Sequence, residues 1–111
     1  MLCLEKNILT YMTSVLWTPR AETELEDIAF YIAVRDARPT VALKLIDEIV
    51  AKSQQYANQP LMGTIHSALD SRFRIFRHTR YVIVYEPIDE GIIVHRVVDG
   101  TQDFRRLFRD L

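Results

Sequence analysis

The sequence predicts a single α+β domain over residues 12–111, an antiparallel β-meander with a helical hairpin packed on one face. Three observations predict it. Two segments with helical apolar spacing follow each other with only a few residues between them, which favours an antiparallel pair. Three β-type runs come next, and a short amphipathic tail closes the chain. The expected order is β-α-α-β-β-β-α.

Residues 14–17 form a short β-type run (Val15, Leu16, Trp17) that ends at Thr18-Pro19. Thr18 is a good helix N-cap, and Pro19 suits the first helical position. Ala21, Leu25, Ile28, Ala29 and Ile32 then recur at helical spacing, and the helix should stop near Arg35-Asp36. Glu22, Glu24, Glu26 and Asp27 gather toward the positive end of its dipole and read as a solvated face. Arg38-Pro39-Thr40 opens a second helix with an apolar stripe of Ala42, Leu45, Ile46, Ile49 and Val50, extending to Tyr56 and ending at Asn58-Gln59-Pro60. Both stripes read as core.

Residues 60–71 are a connecting loop containing Gly63. Residues 72–78 (RFRIFRH), 81–86 (YVIVYE) and 92–98 (IIVHRVV) are the three strands, and the second is apolar enough to be central. Residues 87–91 (PIDEG) are the turn between the last two. Alternation would put Arg72 and Arg74 on one face and turn Phe73 and Ile75 toward the helices. The tail, residues 101–111, reads as a short helix with Phe104, Leu107 and Phe108 on one side and Arg105, Arg106 and Arg109 on the other. Residues 1–11 (MLCLEKNILTY) read as an N-terminal extension or a mispredicted start, without the basic leader and cleavage site of a secretory signal.

With 49% hydrophobic and 26% charged residues, the composition is that of a folded domain. Cys3 is the sole cysteine, which excludes an internal disulfide framework and a cysteine-based zinc finger. No apolar run approaches the ~20 residues of a spanning helix, so no membrane role is expected. The net charge of −1 argues against a strongly basic nucleic-acid binder, but it hides a gradient. Residues 1–71 hold six Lys and Arg against nine acids, whereas residues 72–111 hold eight Arg against six acids.

Catalytic signatures are weak. There is no glycine-rich phosphate loop and no His-Glu-x-x-His helix. His66, His78 and His95 are scattered, and His95, inside an apolar strand, reads as a satisfied core imidazole. No metal or other cofactor is expected. The strongest signal is the run Arg72, Arg74, Arg77 and Arg80, with no acid from residue 71 to 85. Two readings compete: charges that guard an edge strand or pair with the acidic first helix, or a surface for a partner's carboxylates or phosphates.

Three stretches carry a family resemblance: Thr18-Pro-Arg-Ala-Glu-x-Glu-Leu-Glu-Asp-Ile-Ala-x-Tyr-Ile, then Ile75-x-x-x-x-Arg80-Tyr81-Val-Ile-Val-Tyr85-Glu, then Val97-Val-Asp-Gly100-x-x-Asp103-Phe-Arg105-Arg. In this order they resemble the ParE branch of the RelE/ParE superfamily, the toxins of bacterial type II toxin–antitoxin pairs. The resemblance covers residues 14–108 and implies a cytoplasmic toxin neutralised by a cognate ParD-like antitoxin. ParE-type toxins poison DNA gyrase, and the antitoxin, not the toxin, binds operator DNA specifically. The RelE branch instead cuts messenger RNA on the ribosome, and the shared fold does not separate the two.

Residue comparison favours the ParE branch. The basic strand residue of RelE-type nucleases falls on Val82, although Arg80 is close by; an Arg after the glycine falls on Gln102, and a late Tyr falls on Phe108. RNA cleavage needs a proton acceptor, a proton donor and cations, and these three positions lack them. No catalytic residue is therefore expected. Arg72, Arg74, Arg77, Arg80, Arg105, Arg106 and Arg109 are the candidate target-binding residues. Trp17, Phe30, Tyr31, Tyr56, Arg72 and Arg74 are the candidates for the antitoxin, although Trp17 and Tyr56 fit core better.

Overall fold

The computed structural model of the chain describes residues 14–101. Strand β1 is Ser14–Trp17, helix α1 is Pro19–Phe30, and helix α2 is Pro39–Asn58. Strands β2 (Arg74–His78), β3 (Tyr81–Ile88) and β4 (Gly91–Asp99) follow. The sheet order is β1-β4-β3-β2. The last three strands form the expected meander, and β1 joins it parallel to β4, which makes the sheet mixed. The expected tail helix, with Phe104, Arg105, Arg106, Leu107, Phe108 and Arg109, and the segment 1–11 lie outside the described residues.

The helices begin as their sequence dictates. The Thr18 hydroxyl accepts the Ala21 N–H at 3.1 Å and donates to the His95 carbonyl at 3.3 Å, so the N-cap also ties α1 to β4. The far end of α1 departs from expectation. Residues Tyr31–Arg35 widen into a π-turn, closed by the Asp36 N–H on the Tyr31 carbonyl at 3.1 Å. Ala37, at φ 53°, reverses the chain in the left-handed region.

In α2 the buried row is Ala42, Leu45, Ile49, Ser53 and Ala57. The buried Ser53 hydroxyl is satisfied by the Ile49 carbonyl at 2.8 Å. Val50, expected in the core stripe, is 47% exposed. It lies about 100° around the helix from Ile49, and the row that meets the sheet continues through Ser53 rather than through Val50.

Two apolar layers sandwich the sheet. The larger joins Leu25, Leu45 and Ile49 of the helices to Phe76, Ile83, Tyr85, Ile92, Val94 and Val97. The other holds Phe73, Ile75, Val82, Val84 and Val98, with Leu69 packed against it. Each fully buried Val or Ile contributes about 1.5–3 kcal/mol. Phe73 and Ile75 therefore face away from the helices, contrary to expectation. Phe76 holds the helix side, stacked on Tyr56 of α2 at 4.3 Å between ring centroids. The alternation is real, but its phase is set by Phe76, a residue with aromatic partners on α2 and β3.

The strand boundaries also shift. β2 starts at Arg74 because the Asp70 carboxylate accepts the Arg72 N–H at 3.0 Å and holds residues 70–72 in a turn. β3 runs through Pro87 instead of ending before it. β2 begins opposite Tyr85 and does not reach Pro87, so the missing N–H of Pro87 breaks no ladder with that neighbour. Gly91, at φ 147°, then opens β4; a Cβ there would lie 1.9 Å from the Ser14 carbonyl oxygen. A bulge at His95, between the pairs Tyr85↔Val94 and Val84↔Arg96, lets Val94 and Val97 both face the helices.

Candidate functional site

The first helix builds one wall of two clefts. Thr18 and Pro19 fix where α1 starts, and the 3.6-residue period then places Leu25 toward the core and Glu22 and Glu26 outward. On one side, a groove of about 320 Å³ runs between α1, α2 and β1, lined by Trp17, Glu22, Leu25, Glu26, Ile46 and Val50. On the other side, at the end of the sheet, a cleft of about 450 Å³ is lined by Asp27, Ile28, Tyr31, Arg80, Tyr81 and Asp99.

The electrostatics of the second cleft centre on Arg80 and Asp99, which form an ion pair. The hydrogen bond to Asp99 raises the Arg80 guanidinium further above its ordinary range. Partial burial works to raise the Asp99 carboxyl. The Thr101 N–H, the Arg80 side chain and the Thr101 hydroxyl outweigh it and hold Asp99 below the usual carboxylate range. Burial also pushes the Tyr81 hydroxyl up, against the pull of Arg80.

The singled-out arginines among the described residues have separate partners. Arg72 lies over the Phe73 ring at 4.7 Å, before β2 begins. Arg74 donates from Nη1 to the Leu61 and Gly63 carbonyls at 3.1 and 2.8 Å and so holds the loop after α2. Arg77 reaches across the sheet to Gly100, where a Cβ would come 2.9 Å from its guanidinium. Arg80 belongs to Asp99. Arg105, Arg106 and Arg109 lie outside the described residues.

The aromatic candidates divide as well. Tyr56 is core, stacked on Phe76 and tilted against Tyr85. Trp17 is half-buried in the groove floor. Phe30 and Tyr31 are 63% and 53% exposed at the end of α1, where the helix widens, and Arg35 covers the Tyr31 ring at 5.3 Å. His95 sits as expected for a satisfied imidazole: Nε2 is 2.9 Å from Glu86 and its ring meets the edge of Phe73. His78 is held the same way by Glu48 of α2, at 2.9 Å. Among the described residues no three His, Cys, Asp or Glu side chains converge as a metal site.

Sequence reasoning passed over Arg96, which is 4% exposed. Its Nε and Nη2 meet Glu24 Oε2 of α1 at 2.8 and 2.7 Å. The other oxygen, Oε1, accepts the Val97 N–H at 2.9 Å. β1 stops opposite Val94, so Glu24 takes over the open edge of β4 where the parallel strand ends. The available signal was one arginine inside the apolar run IIVHRVV and one glutamate on the inner side of an acidic helix.

Comparison with known proteins bears on this frame. The sequence matches the family described as the ParE toxin of type II toxin-antitoxin system, parDE, over residues 15–104. The chain belongs to the ParE toxin family. Its fold is similar to a solved structure titled as the chromosomal ParDE TA system from P. aeruginosa, with a TM-score of 0.64. Identity is 19%, and the match covers 81% of this chain and 98% of that one. No curated protein sequence matches at a significant level. The ParE-family chain is thus a toxin component of a type II system, with the α+β architecture its sequence motifs imply. Among its described residues, no helix is long and apolar enough to cross a membrane.

Proposed function

We propose that this ParE-family toxin arrests growth by binding DNA gyrase in the cytoplasm, performs no chemistry of its own, and is silenced by a ParD-like antitoxin that covers its surface. The observation that carries this reading is the environment of Val82. This is the strand position at which RelE-type nucleases hold a basic residue; here it is a fully buried valine in the apolar layer with Val84 and Val98. Arg80, the other cation the sequence offers close to this position, is paired to Asp99, and Arg77 stands directly across from Val82 on β2. A toxin acting by binding needs surface rather than a reactive cluster, and the exposed Phe30, Tyr31, Arg72 and Arg77 supply it. Operator binding remains the task of the antitoxin, and the toxin alone has no specific DNA site.

A short induced pulse of the protein in a bacterial host, with label incorporation into DNA and protein, tests the proposal. DNA synthesis falls first, and purified gyrase loses supercoiling activity when the protein is added. Protein synthesis stopping first, with messages cut at the ribosome, would instead make the chain a RelE-like endoribonuclease.

A further inference from the structure

We infer that the loop after α2, residues 60–65, is the element by which the toxin engages its protein target. Leu61 is 70% exposed, Ile65 51% and Met62 49%. Exposed apolar side chains grouped in this way mark interaction sites. The backbone that carries them is fixed at almost every residue. The Tyr85 hydroxyl, from the core of β3, donates to the Pro60 carbonyl at 2.7 Å and accepts the Gly63 N–H at 2.9 Å. Arg74 Nη1 holds the Leu61 and Gly63 carbonyls. Thr64 and Ile75 exchange two backbone hydrogen bonds, at 2.9 and 2.8 Å, and the Met62 N–H closes on the Gln59 carbonyl at 3.0 Å. A buried hydroxyl and a guanidinium thus set the shape of a segment whose own large side chains stay in water. A surface ordered in advance gains affinity, because binding no longer carries the cost of ordering it.

Charge and shape select the occupant. The Thr64–Ile75 pair is antiparallel, so Arg74 stands across from Ile65. Arg72, two residues before it, is exposed. Neither arginine pairs with a carboxylate among the described residues. From residue 49 to residue 85 the one acid in the sequence is Asp70. Aliphatic side chains with cations beside them fit a protein surface that has an apolar pocket and carboxylates on its rim. Single-stranded nucleic acid is held by rings on which its bases stack, and residues 60–65 include none. An anionic bilayer rewards apolar area and positive charge but no particular backbone shape, and here the shape is fixed. The inference rests on the proposed function in taking the partner to be the target whose loss arrests growth.

The full chain and its variants are titrated into supercoiling by purified gyrase, and each is pulsed in a bacterial host to score growth arrest. Leu61→Asp with Ile65→Asp raises the half-inhibitory concentration at least about a hundredfold, as for the loss of two anchor side chains, and abolishes arrest. Leu61→Ala alone costs about tenfold. Both positions are exposed, so circular dichroism and the urea midpoint stay unchanged. Arg72→Glu weakens inhibition about tenfold, and its deficit shrinks in high salt. A double variant that inhibits and arrests as the unmodified chain does overturns the inference. So does a double variant that still arrests growth but escapes a co-expressed antitoxin, which would give the loop to the antitoxin. Two further outcomes overturn it when the double variant loses them: sedimentation with phosphatidylglycerol vesicles, which would make the loop a membrane contact, and a doubled mass by light scattering, which would assign it to a second copy. If the unmodified chain leaves gyrase untouched yet arrests growth, the gyrase reading fails, and loss of arrest in the double variant still decides for the loop. A chain that arrests nothing overturns both.

Discussion

On the sheet, the basic side chains are largely spent on the chain itself: Arg96 on Glu24, Arg74 on two loop carbonyls, Arg80 on Asp99. On the outer row of α1, Glu22 and Glu26 have no such partner among the described residues, and Phe30 and Tyr31 beyond them are more than half exposed. A run of like charge in a sequence therefore does not measure the charge offered to a partner. What is offered is the part that the fold leaves unmatched. The arginine-rich strand is mostly a set of internal fasteners, and the helical hairpin, whose stripes read as plain core, carries the open groove.

Exchanging partners across this divide gives the largest expected effect. Arg96→Ala leaves the Glu24 carboxylate unpaired beside a sheet edge and should cost about 3–5 kcal/mol in urea unfolding. Glu26→Gln, about two turns from the start of the same helix, should change stability by no more than about 0.5 kcal/mol. Equal losses from the two would erase the distinction. A smaller effect is expected at Tyr85, whose hydroxyl donates to the Pro60 carbonyl at 2.7 Å and accepts the Gly63 N–H at 2.9 Å. Tyr85→Phe leaves a buried donor without its acceptor and should cost about 1–3 kcal/mol. Amide exchange at Gly63 should accelerate before that of β3; unchanged exchange there would show that Arg74 alone holds the loop. Gly63 has no room for a side chain, since a Cβ would lie 2.2 Å from that hydroxyl.

These cases also show how far the residues could be read in advance. The cap at Thr18, the two helices and the three meander strands follow from local chemistry, and each is found. The phase of residues 73–76 does not follow, because both alternate faces carry aromatic side chains and only the contacts of Phe76 with Tyr56 and Tyr85 decide between them. The Glu24–Arg96 pair joins residues 72 apart in the chain, and nothing local in either one announces the other. The groove lies between these extremes. Its acids were visible as an exposed helical face, but Val50 belonged to the core stripe by spacing, and only the packing of α2 through Ser53 leaves it outside.

The ion pair of Arg80 and Asp99 is intermediate, matched yet exposed, with 59% of the arginine side chain open to solvent. It should give the smallest effect, one confined to acid pH. Asp99 is held below its ordinary carboxylate range in the folded chain, so it favours folding wherever it is ionised in both states. That contribution is complete above the unfolded value of about 4 and disappears as the pH falls through the lower folded value. Asp99→Asn should therefore be less stable than the unmodified chain at pH 7, and the gap should narrow as the pH falls below about 4. High salt should narrow the gap at pH 7, because solvent reaches the pair. A gap that widens below pH 4 would mean that burial at the sheet end, rather than Thr101 and Arg80, governs this carboxylate. The end of the sheet would then resemble the unmatched outer row of α1 more than the fastened strand beside it.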